Sequence, residues 1–284
     1  MKQHKKDNRP GLTALVLAAS REGTEDPVAR HAGKSHKCLV EVDGKPMIER
    51  VIESLIDSNL CRNILVSIES EDILRQIPQV ALWLDQGIVS VAPSASNLAD
   101  SVLSLRERNE SPIPLLITTA DSALHTRETV THFIDRSLAE GGDISIGATS
   151  EATVRKQFPD ETIGFFRFRD GGYSFCNLFM LRSEAALQMA EVFRSGGQFR
   201  KRPWRMLGAF GVLNLLLYRL RLTTIDAFIG RIGRNFKLKA TVVDVPWGYA
   251  PIDVDTPYSL ALSERVLRQR RDQAGEGFSP SRAS

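Results

Sequence analysis

Five short runs of apolar and β-branched residues recur along the first half of the chain. Runs of this length and composition are typical of strands that are buried on both faces of a sheet. The segments between them instead place apolar residues three and four positions apart, which is the helical pattern. The predicted strands span residues 13–19, 63–69, 87–93, 114–120 and 143–149, and helices are predicted at 46–59, 97–108 and 126–140.

This alternation of strands and helices predicts the fold class. Successive βα units form a mostly parallel sheet with helices on both faces, so we expect an α/β fold built as a three-layer α/β/α sandwich with a Rossmann-like sheet. The pattern changes after residue 160. Residues 162–183 predict two extended runs joined by a turn at Asp170 and Gly171, and residues 239–245 predict another strand.

The domain organisation follows from the same patterns. We expect one domain over residues 12–272, with a helical insertion at about 198–235, a flexible tail at 1–11 and a disordered tail at 273–284. The longest apolar run, residues 207–218, is too short to span a bilayer, so no transmembrane segment is expected.

Composition and charge narrow the class of protein. The chain has 284 residues, a net charge of +3 and interleaved acids and bases, a pattern that does not indicate nucleic-acid binding. Its three cysteines lie outside any C-x-x-C pattern, which argues against disulfides and a zinc site and favours a cytoplasmic location.

The loop after the first predicted strand is the first candidate for chemistry. Ligands of open α/β sheets bind beyond the carboxyl ends of the strands. Glycines and cations in this loop would suit a polyphosphate, although neither of the two commonest nucleotide-binding motifs is present. The residues concerned are Ser20, Arg21, Gly23, Arg30, Gly33, Lys34 and Lys37.

Residues 13–58 resemble the signature of the nucleotidyltransferases with a mononucleotide-binding, GT-A-like fold. That signature is L-A-A-G-x-G-x-R, six residues, a lysine and a G-K-P-M turn that opens a helix. Here it corresponds to Leu17 to Ser20, Arg30, Lys37 and Gly44 to Met47. The chain departs from it in Ser20 and in about five extra residues before Arg30.

The resemblance implies roles for these residues. Ala18, Ala19 and Ser20 are expected to bind the nucleotide, Arg30 to neutralise the β- and γ-phosphates, and Lys37 to stabilise the charge that develops during transfer. Solvated surface charges are the plain alternative for Arg30 and Lys37.

Two aspartates are candidates for a metal site. Asp121 ends a predicted strand, where family members have an aspartate that binds Mg²⁺, and a hard cation favours carboxylate and phosphate oxygens. The segment I-D-V-D-T-P resembles the closing motif of the family, and Asp255 is expected to be the second ligand, with Asp253 on the other face. In the alternative interpretation, Asp121 and Asp255 cap the helices that follow them.

The base of the nucleotide and the acceptor substrate are expected to contact other segments of the chain. Residues 92–105 resemble the base-binding segment of the cytidylyltransferases, so Ser94 and Ser101 are candidate base contacts, or else helix caps. By the same resemblance Asn177 faces the acceptor. Arg202 belongs to a basic cluster that could bind the acceptor phosphate, an anionic membrane surface or a second subunit; a helical hairpin packed on the sheet is the plain alternative.

The matches together predict a Mg²⁺-dependent nucleotidyltransferase. It would transfer a nucleoside monophosphate from a triphosphate, with CTP favoured and GTP second, to a phosphorylated sugar, alcohol or cofactor, and release pyrophosphate. Two alternatives belong to other classes: a GT-A-type glycosyltransferase that uses Asp253 to Asp255 as its D-x-D motif, and a non-catalytic nucleotide-binding module. Partners are therefore small molecules, with a homodimer as the candidate oligomer.

Overall fold

A mixed sheet of eight strands organises the fold in the computed structural model, which describes residues 11–19, 26–93, 112–187 and 210–276. Its strand order is β10-β7-β9-β6-β1-β4-β5, with β8 paired to β9, and β2 and β3 form a separate hairpin. The strands are β1 Leu12–Leu17, β2 Glu41–Val42, β3 Lys45–Pro46, β4 Cys61–Ile68, β5 Val89–Pro93, β6 Leu115–Thr119, β7 Ile144–Ser150, β8 Phe166–Phe168, β9 Gly171–Leu181 and β10 Ala240–Asp244.

The direction of the strands confirms the mostly parallel sheet. Strands β6, β1, β4 and β5 are parallel neighbours, and β10 is parallel to β7. Strand β9 runs antiparallel between β6 and β7. All five strands predicted from the apolar runs are present, with limits within two residues of those predicted. The predicted turn at Asp170 joins β8 to β9.

The described helices lie between strands, except the last, Pro257–Glu276, which follows β10. The helices predicted at 46–59 and 126–140 are confirmed as α2, Met47–Ser58, and α5, Arg127–Glu140. The helix predicted at 97–108 lies outside the described residues. The helices are α1 Pro27–His31, α2 Met47–Ser58, α3 Glu71–Arg75, α4 Pro78–Asp85, α5 Arg127–Glu140, α6 Glu151–Gln157, α7 Val212–Arg219, α8 Ile225–Asn235 and α9 Pro257–Glu276.

Residues on the two faces of the sheet belong to different buried clusters, which confirms the three-layer architecture. Ala14 and Val16 of β1 pack with Ile48 and Ile52 of α2 on one face. Leu15, between them, points to the other face, because side chains alternate along a strand. Burial on both faces explains why the strands are almost continuously apolar.

The described part of the predicted insertion is a helical hairpin. Asn214 Nδ2 of α7 donates to Phe228 O of α8 at 3.1 Å, and Arg231 Nη1 donates to Thr223 Oγ1 at 2.7 Å. Helix α8 packs against β10, where a Cβ atom on Gly233 would lie only 2.8 Å from Ala240 Cβ. This arrangement agrees with the plain alternative of a packed hairpin.

The outer side of α7 exposes several apolar side chains, among them Val212, Leu213 and Leu216. Within the described ranges, no helix combines the length and apolar character needed to cross a membrane. The predicted limits of the domain, its insertion and its tails stay predictions.

Candidate active site

The candidate site lies where β1 and β6 end at the same edge of the sheet. These strands are parallel neighbours, and Ala120 N donates to Leu17 O at 2.9 Å just beyond β6. Asp121 follows directly. Because ligands of open α/β sheets bind at this edge, the predicted metal aspartate is placed where a substrate can reach it.

Lys37 joins the two aspartates that were predicted to bind metal. Its Nζ donates to Asp121 Oδ2 at 2.7 Å and also to Asp255 Oδ1. Burial lowers the pKa of Lys37, but the charges and hydrogen bonds of Asp121 and Asp255 outweigh this effect, so the pKa is raised. Lys37 is therefore a cation at neutral pH. The structure brings the three side chains together, and their roles in a reaction stay predictions.

Neighbouring hydroxyl groups orient Asp121. Thr119 Oγ1 donates to Asp121 Oδ1 at 2.6 Å, and Ser122 Oγ lies 3.0 Å from Thr119 Oγ1. The helix that follows, α5, is capped by Thr126, whose side chain accepts a hydrogen bond from Thr129 N. Asp121 is thus not the cap of that helix, and its carboxylate points to Lys37 instead.

Asp255 is likewise available to the site. Thr256 Oγ1 accepts from Ser259 N at 3.1 Å at the start of α9, so Thr256 fills the capping position. The Ser259 hydroxyl in turn accepts from the backbone N–H of Asp255 at 3.0 Å. The Asp255 side chain keeps 61% of its surface exposed, which leaves its carboxylate accessible to a ligand.

Asp253 lies on the same side as Asp255, contrary to the sequence-based expectation. Both residues line one cavity, and their charges interact. The expectation was wrong because residues two apart in an extended chain point to the same side, whereas the buried Val254 between them points away. Burial, followed by the charges of Asp255 and Asp121, raises the pKa of Asp253 to about 6.

Asn177 reaches this group of acids from a bulge in β9. Its Nδ2 donates to Asp253 Oδ2 at 3.3 Å. Its backbone has a φ of +51°, and the register between β7 and β9 shifts between Ile146 and Ala148. A bulge re-aims a side chain relative to regular pairing, which explains how a residue of an internal strand faces the site.

A small buried cluster holds the separate segments of the site together. Val40, Ala123 and Val254 belong to it, and each is close in sequence to one member of the charged group. In addition, Val254 N donates to Asp121 O at 3.1 Å. Packing of apolar neighbours, together with a backbone hydrogen bond, therefore fixes the segments that contain Lys37, Asp121 and Asp255.

His125 contacts the backbone of two segments that carry site residues, a role that the sequence did not indicate. Its side chain is buried, and Nε2 lies 3.1 Å from Ala250 O in the loop before Asp253. A second hydrogen bond joins the imidazole to the backbone of Cys176, next to Asn177. Burial lowers the pKa of His125 to about 4, so the ring is neutral at pH 7.

The first loop contains a short capped helix where the chain departs from the family signature. Asp26 accepts from Val28 N and Ala29 N at 2.9 and 3.0 Å, and Pro27 occupies the first helical position of α1. Arg30 lies in the last turn of this helix with its side chain exposed. The extra residues thus contribute to a helix that presents Arg30.

Of the remaining residues predicted to bind nucleotide or acceptor, the structure describes Ala18 and Ala19. Ala18 is buried and its N–H donates to Ser67 O at 2.9 Å, while Ala19 is exposed at the end of β1. Ser20, Ser94, Ser101 and Arg202 lie outside the described residues, so their predicted roles are not tested.

The donor set of the site fits a magnesium ion. Asp121 and Asp255 both contact the same Lys37 nitrogen, so one cation could be reached by both carboxylates. Mg²⁺ commonly binds through one or two carboxylates together with substrate phosphates. Across the described ranges, no group of three or more histidine, cysteine or acidic side chains is placed to hold a metal by itself. Cys38, Cys61 and Cys176 are free cysteines.

The sheet and the charged group at its strand ends agree with the class expected from the sequence, the nucleotidyltransferases, and comparison with known families assigns the chain to this class. A family model described as the MobA-like NTP transferase domain matches residues 14–203, well over half of the chain, and the chain therefore belongs to this family. Comparison with curated proteins gave no match.

Three solved structures illustrate the shared fold. A hypothetical transferase from Thermus thermophilus is 23% identical, with a TM-score of 0.70 over 88% of this chain and 100% of its own. The 4-diphosphocytidyl-2C-methyl-D-erythritol synthase of Anaerococcus prevotii is 13% identical, with a TM-score of 0.53 over 91% and 98%. A CMP:2-keto-3-deoxy-manno-octonic acid synthetase in complex with CTP is 13% identical, with a TM-score of 0.57 over 92% and 100%.

Proposed function

We propose that the protein transfers a nucleoside monophosphate from a triphosphate to a phosphorylated small molecule, with Mg²⁺ held by Asp121 and Asp255. The observation on which this rests is the contact of Lys37 with two carboxylates, that of Asp121 just beyond β6 and that of Asp255 just before α9. Family membership supplies the class of reaction, and the geometry supplies candidate roles for individual residues.

The charge balance of the site supports a bound cation. Asp121 and Asp255 lie close enough to Asp253 for their charges to raise its pKa, and Lys37 is a cation that contacts both of them. Burial raises the pKa of Asp253, and the negative charges of Asp255 and Asp121 raise it further, to about 6. A divalent cation bound there would supply charge neutralisation and Lewis-acid polarisation of the α-phosphate.

The chain's own residues would then bind and orient the reactants. Lys37, a permanent cation at neutral pH, would stabilise negative charge on the α-phosphate oxygens, and Arg30 would bind the β- and γ-phosphates. An oxygen of the acceptor phosphate attacks the α-phosphorus, and the bond to the bridging oxygen breaks so that pyrophosphate leaves with the electron pair. Because a phosphate monoester is already ionised at pH 7, no side chain need remove a proton.

CTP is the proposed nucleotide, with GTP as the second candidate. Residues 92–105 resemble the base-binding segment of cytidylyltransferases, and two structurally similar proteins are a diphosphocytidyl synthase and a CMP-sugar synthetase in complex with CTP. Asn177, beside Asp253, is the proposed contact for the acceptor.

The alternatives from other classes are less well supported. A glycosyltransferase would use Asp253 and Asp255 for a sugar nucleotide, but the matched family comprises NTP transferase domains. A non-catalytic module would not need a lysine held between two acids. We therefore retain the nucleotidyltransferase hypothesis.

The test is a matrix of the four ribonucleoside triphosphates against phosphorylated sugars, alcohols and cofactors, scored for pyrophosphate with Mg²⁺ or with EDTA. We expect release only with Mg²⁺ and an acceptor, and fastest with CTP. Asp255→Asn should remove activity, whereas Asp85→Asn, which changes an acid paired with Arg75 on the surface, should not. Sugar transfer from a sugar nucleotide without pyrophosphate release would contradict the proposal.

A further inference from the structure

A cavity of about 840 Å³ extends from the charged group over one face of the sheet. At one end it is lined by Asn177, Asp253 and Asp255. Its remaining walls are mainly apolar and come from β6, β7, β9 and α8; among them are Ile117, Ile146, Phe179, Leu181, Ile229 and Ile232. The volume is within the usual range for sites that bind small molecules.

The division of this cavity into a polar end and an apolar body restricts what it can bind. A polar ligand, such as a sugar, would lose water along the apolar walls without gaining hydrogen bonds there, which is costly. A hydrocarbon chain or ring system gains free energy from the same walls as its surface is removed from water. The cavity therefore favours a molecule with a polar head and an apolar body. Because Asp253 and Asp255 are acids, a phosphate head would bind at this end through Lys37, which donates to Asp255, and through the proposed Mg²⁺.

Solvent reaches this cavity beside the aromatic residues at its edge. Phe166 and Tyr258 both line it, and they remain 50% and 48% exposed. Tyr258 is held in place, because its hydroxyl accepts a hydrogen bond from Thr162 N at 3.1 Å and donates one to Glu161. An elongated ligand could therefore enter past these rings with its head directed to Asp253 and Asp255.

We propose that the acceptor is an amphiphile, a phosphate monoester whose apolar chain lies along Ile117, Ile146 and Phe179. This inference rests on the proposed function, since it identifies the end near Asn177 as the place of the acceptor phosphate. It goes beyond that function because sugar phosphates would satisfy the charged group equally well but would leave the apolar walls unused.

The experiment measures binding of butyl, hexyl and octyl phosphate to the full chain by calorimetry, below their micelle concentrations, with and without Mg²⁺ and CTP. Each fully buried methylene should tighten binding about fourfold, so octyl phosphate should bind roughly 250-fold more tightly than butyl phosphate if all four added methylenes are buried. Binding that differs by less than twofold, or no binding under any of these conditions, would overturn the proposal.

Two variants locate the bound chain. Ile146→Thr keeps a β-branched residue in β7 but reduces the apolar wall, so it should weaken octyl phosphate more than butyl phosphate. Leu213→Gln changes an apolar side chain that is 67% exposed on α7 and is not among the residues lining the cavity, so it should leave both affinities unchanged. Loss of the chain-length effect in Leu213→Gln alone would assign the tail to the surface of α7 and contradict the proposal.

Because binding is measured without turnover, the two hypotheses can fail separately. If alkyl phosphate affinity depends on chain length but no combination of triphosphate and acceptor releases pyrophosphate, the amphiphile site is supported and the proposed function is contradicted. Pyrophosphate release with sugar phosphates, together with equal binding of all alkyl phosphates, would retain the function and remove the amphiphile.

Discussion

Replacing His125 with a residue that cannot be protonated should make the free energy of unfolding depend less on pH below pH 7. The imidazole is buried beneath the site and lies against Ala250 O. In His125→Gln, the side-chain amide can still donate to that carbonyl but cannot be protonated. The variant therefore removes the proton-binding group and preserves a hydrogen bond.

The magnitude follows from the pKa of His125 in the two states. Burial lowers the pKa from 6.5 in the unfolded chain to about 4 in the folded protein, so the unfolded state binds more protons between these values. The contribution of His125 to the free energy of unfolding is complete above pH 6.5 and is lost as the pH falls towards 4. The free energy of unfolding should fall by about 2 kcal/mol between pH 7 and pH 5 because of this residue, and by about 3 kcal/mol over the whole transition.

Urea unfolding at pH 7, 6 and 5 provides the measurement. We expect the wild type to lose about 2 kcal/mol more than His125→Gln between pH 7 and pH 5, whatever the difference between them at pH 7. His132→Gln is the matched control, since His132 Nε2 also lies near a backbone carbonyl, that of Asp244 at 2.9 Å, but is reached by solvent. Parallel curves for the wild type and His125→Gln would refute a buried neutral histidine.

Two further predictions concern the charged group. Asp121→Asn should abolish pyrophosphate release and leave the melting temperature nearly unchanged, because it removes a charge and little volume; an active variant would contradict a metal role for Asp121. Lys37→Ala should lower kcat roughly 10²- to 10³-fold with little change in the KM for the triphosphate, whereas Arg30→Ala should also raise that KM. Steady-state kinetics of Lys37→Ala and Arg30→Ala provide the test. Equal effects of the two variants on kcat and on the KM for the triphosphate would show that the roles are misassigned.

The sheet could be predicted because its strands are buried on both faces. Such strands consist of nearly continuous apolar residues, which can be recognised in the sequence alone. The contact of Lys37 with Asp121 and Asp255 could not be read from spacing alone, since these residues are 84 and 218 positions apart along the chain. Their selection came from the family resemblance, which encodes that proximity. The structure then excluded the helix-cap alternative for both aspartates.

Other parts of the site have no local signal in the sequence. His125 was not predicted, because its role depends on a carbonyl 125 residues away along the chain. Asn177 was predicted from the family resemblance alone, because its orientation depends on a bulge in β9. The helix α1 did have a signal, since Asp26 followed by Pro27 is a typical start of a helix. The side of the chain on which Asp253 lies was predicted wrongly. Side-chain alternation places residues two positions apart, such as Asp253 and Asp255, on the same side.

Lys37 has two partners in the protein and needs a third in the proposed reaction. While its Nζ donates to Asp121 and Asp255, it offsets repulsion among three neighbouring carboxylates. Burial and the charges of Asp255 and Asp121 raise the pKa of Asp253 to about 6, and the charge of Lys37 limits this rise. The ammonium group has three N–H donors, so one remains to bind an α-phosphate oxygen while the other two donate to the aspartates. A cation that binds the two aspartates would neutralise their charge beside the phosphate, so nucleotide and metal should bind in a mutually favourable way. The same lysine would then stabilise both the acids and the bound phosphate.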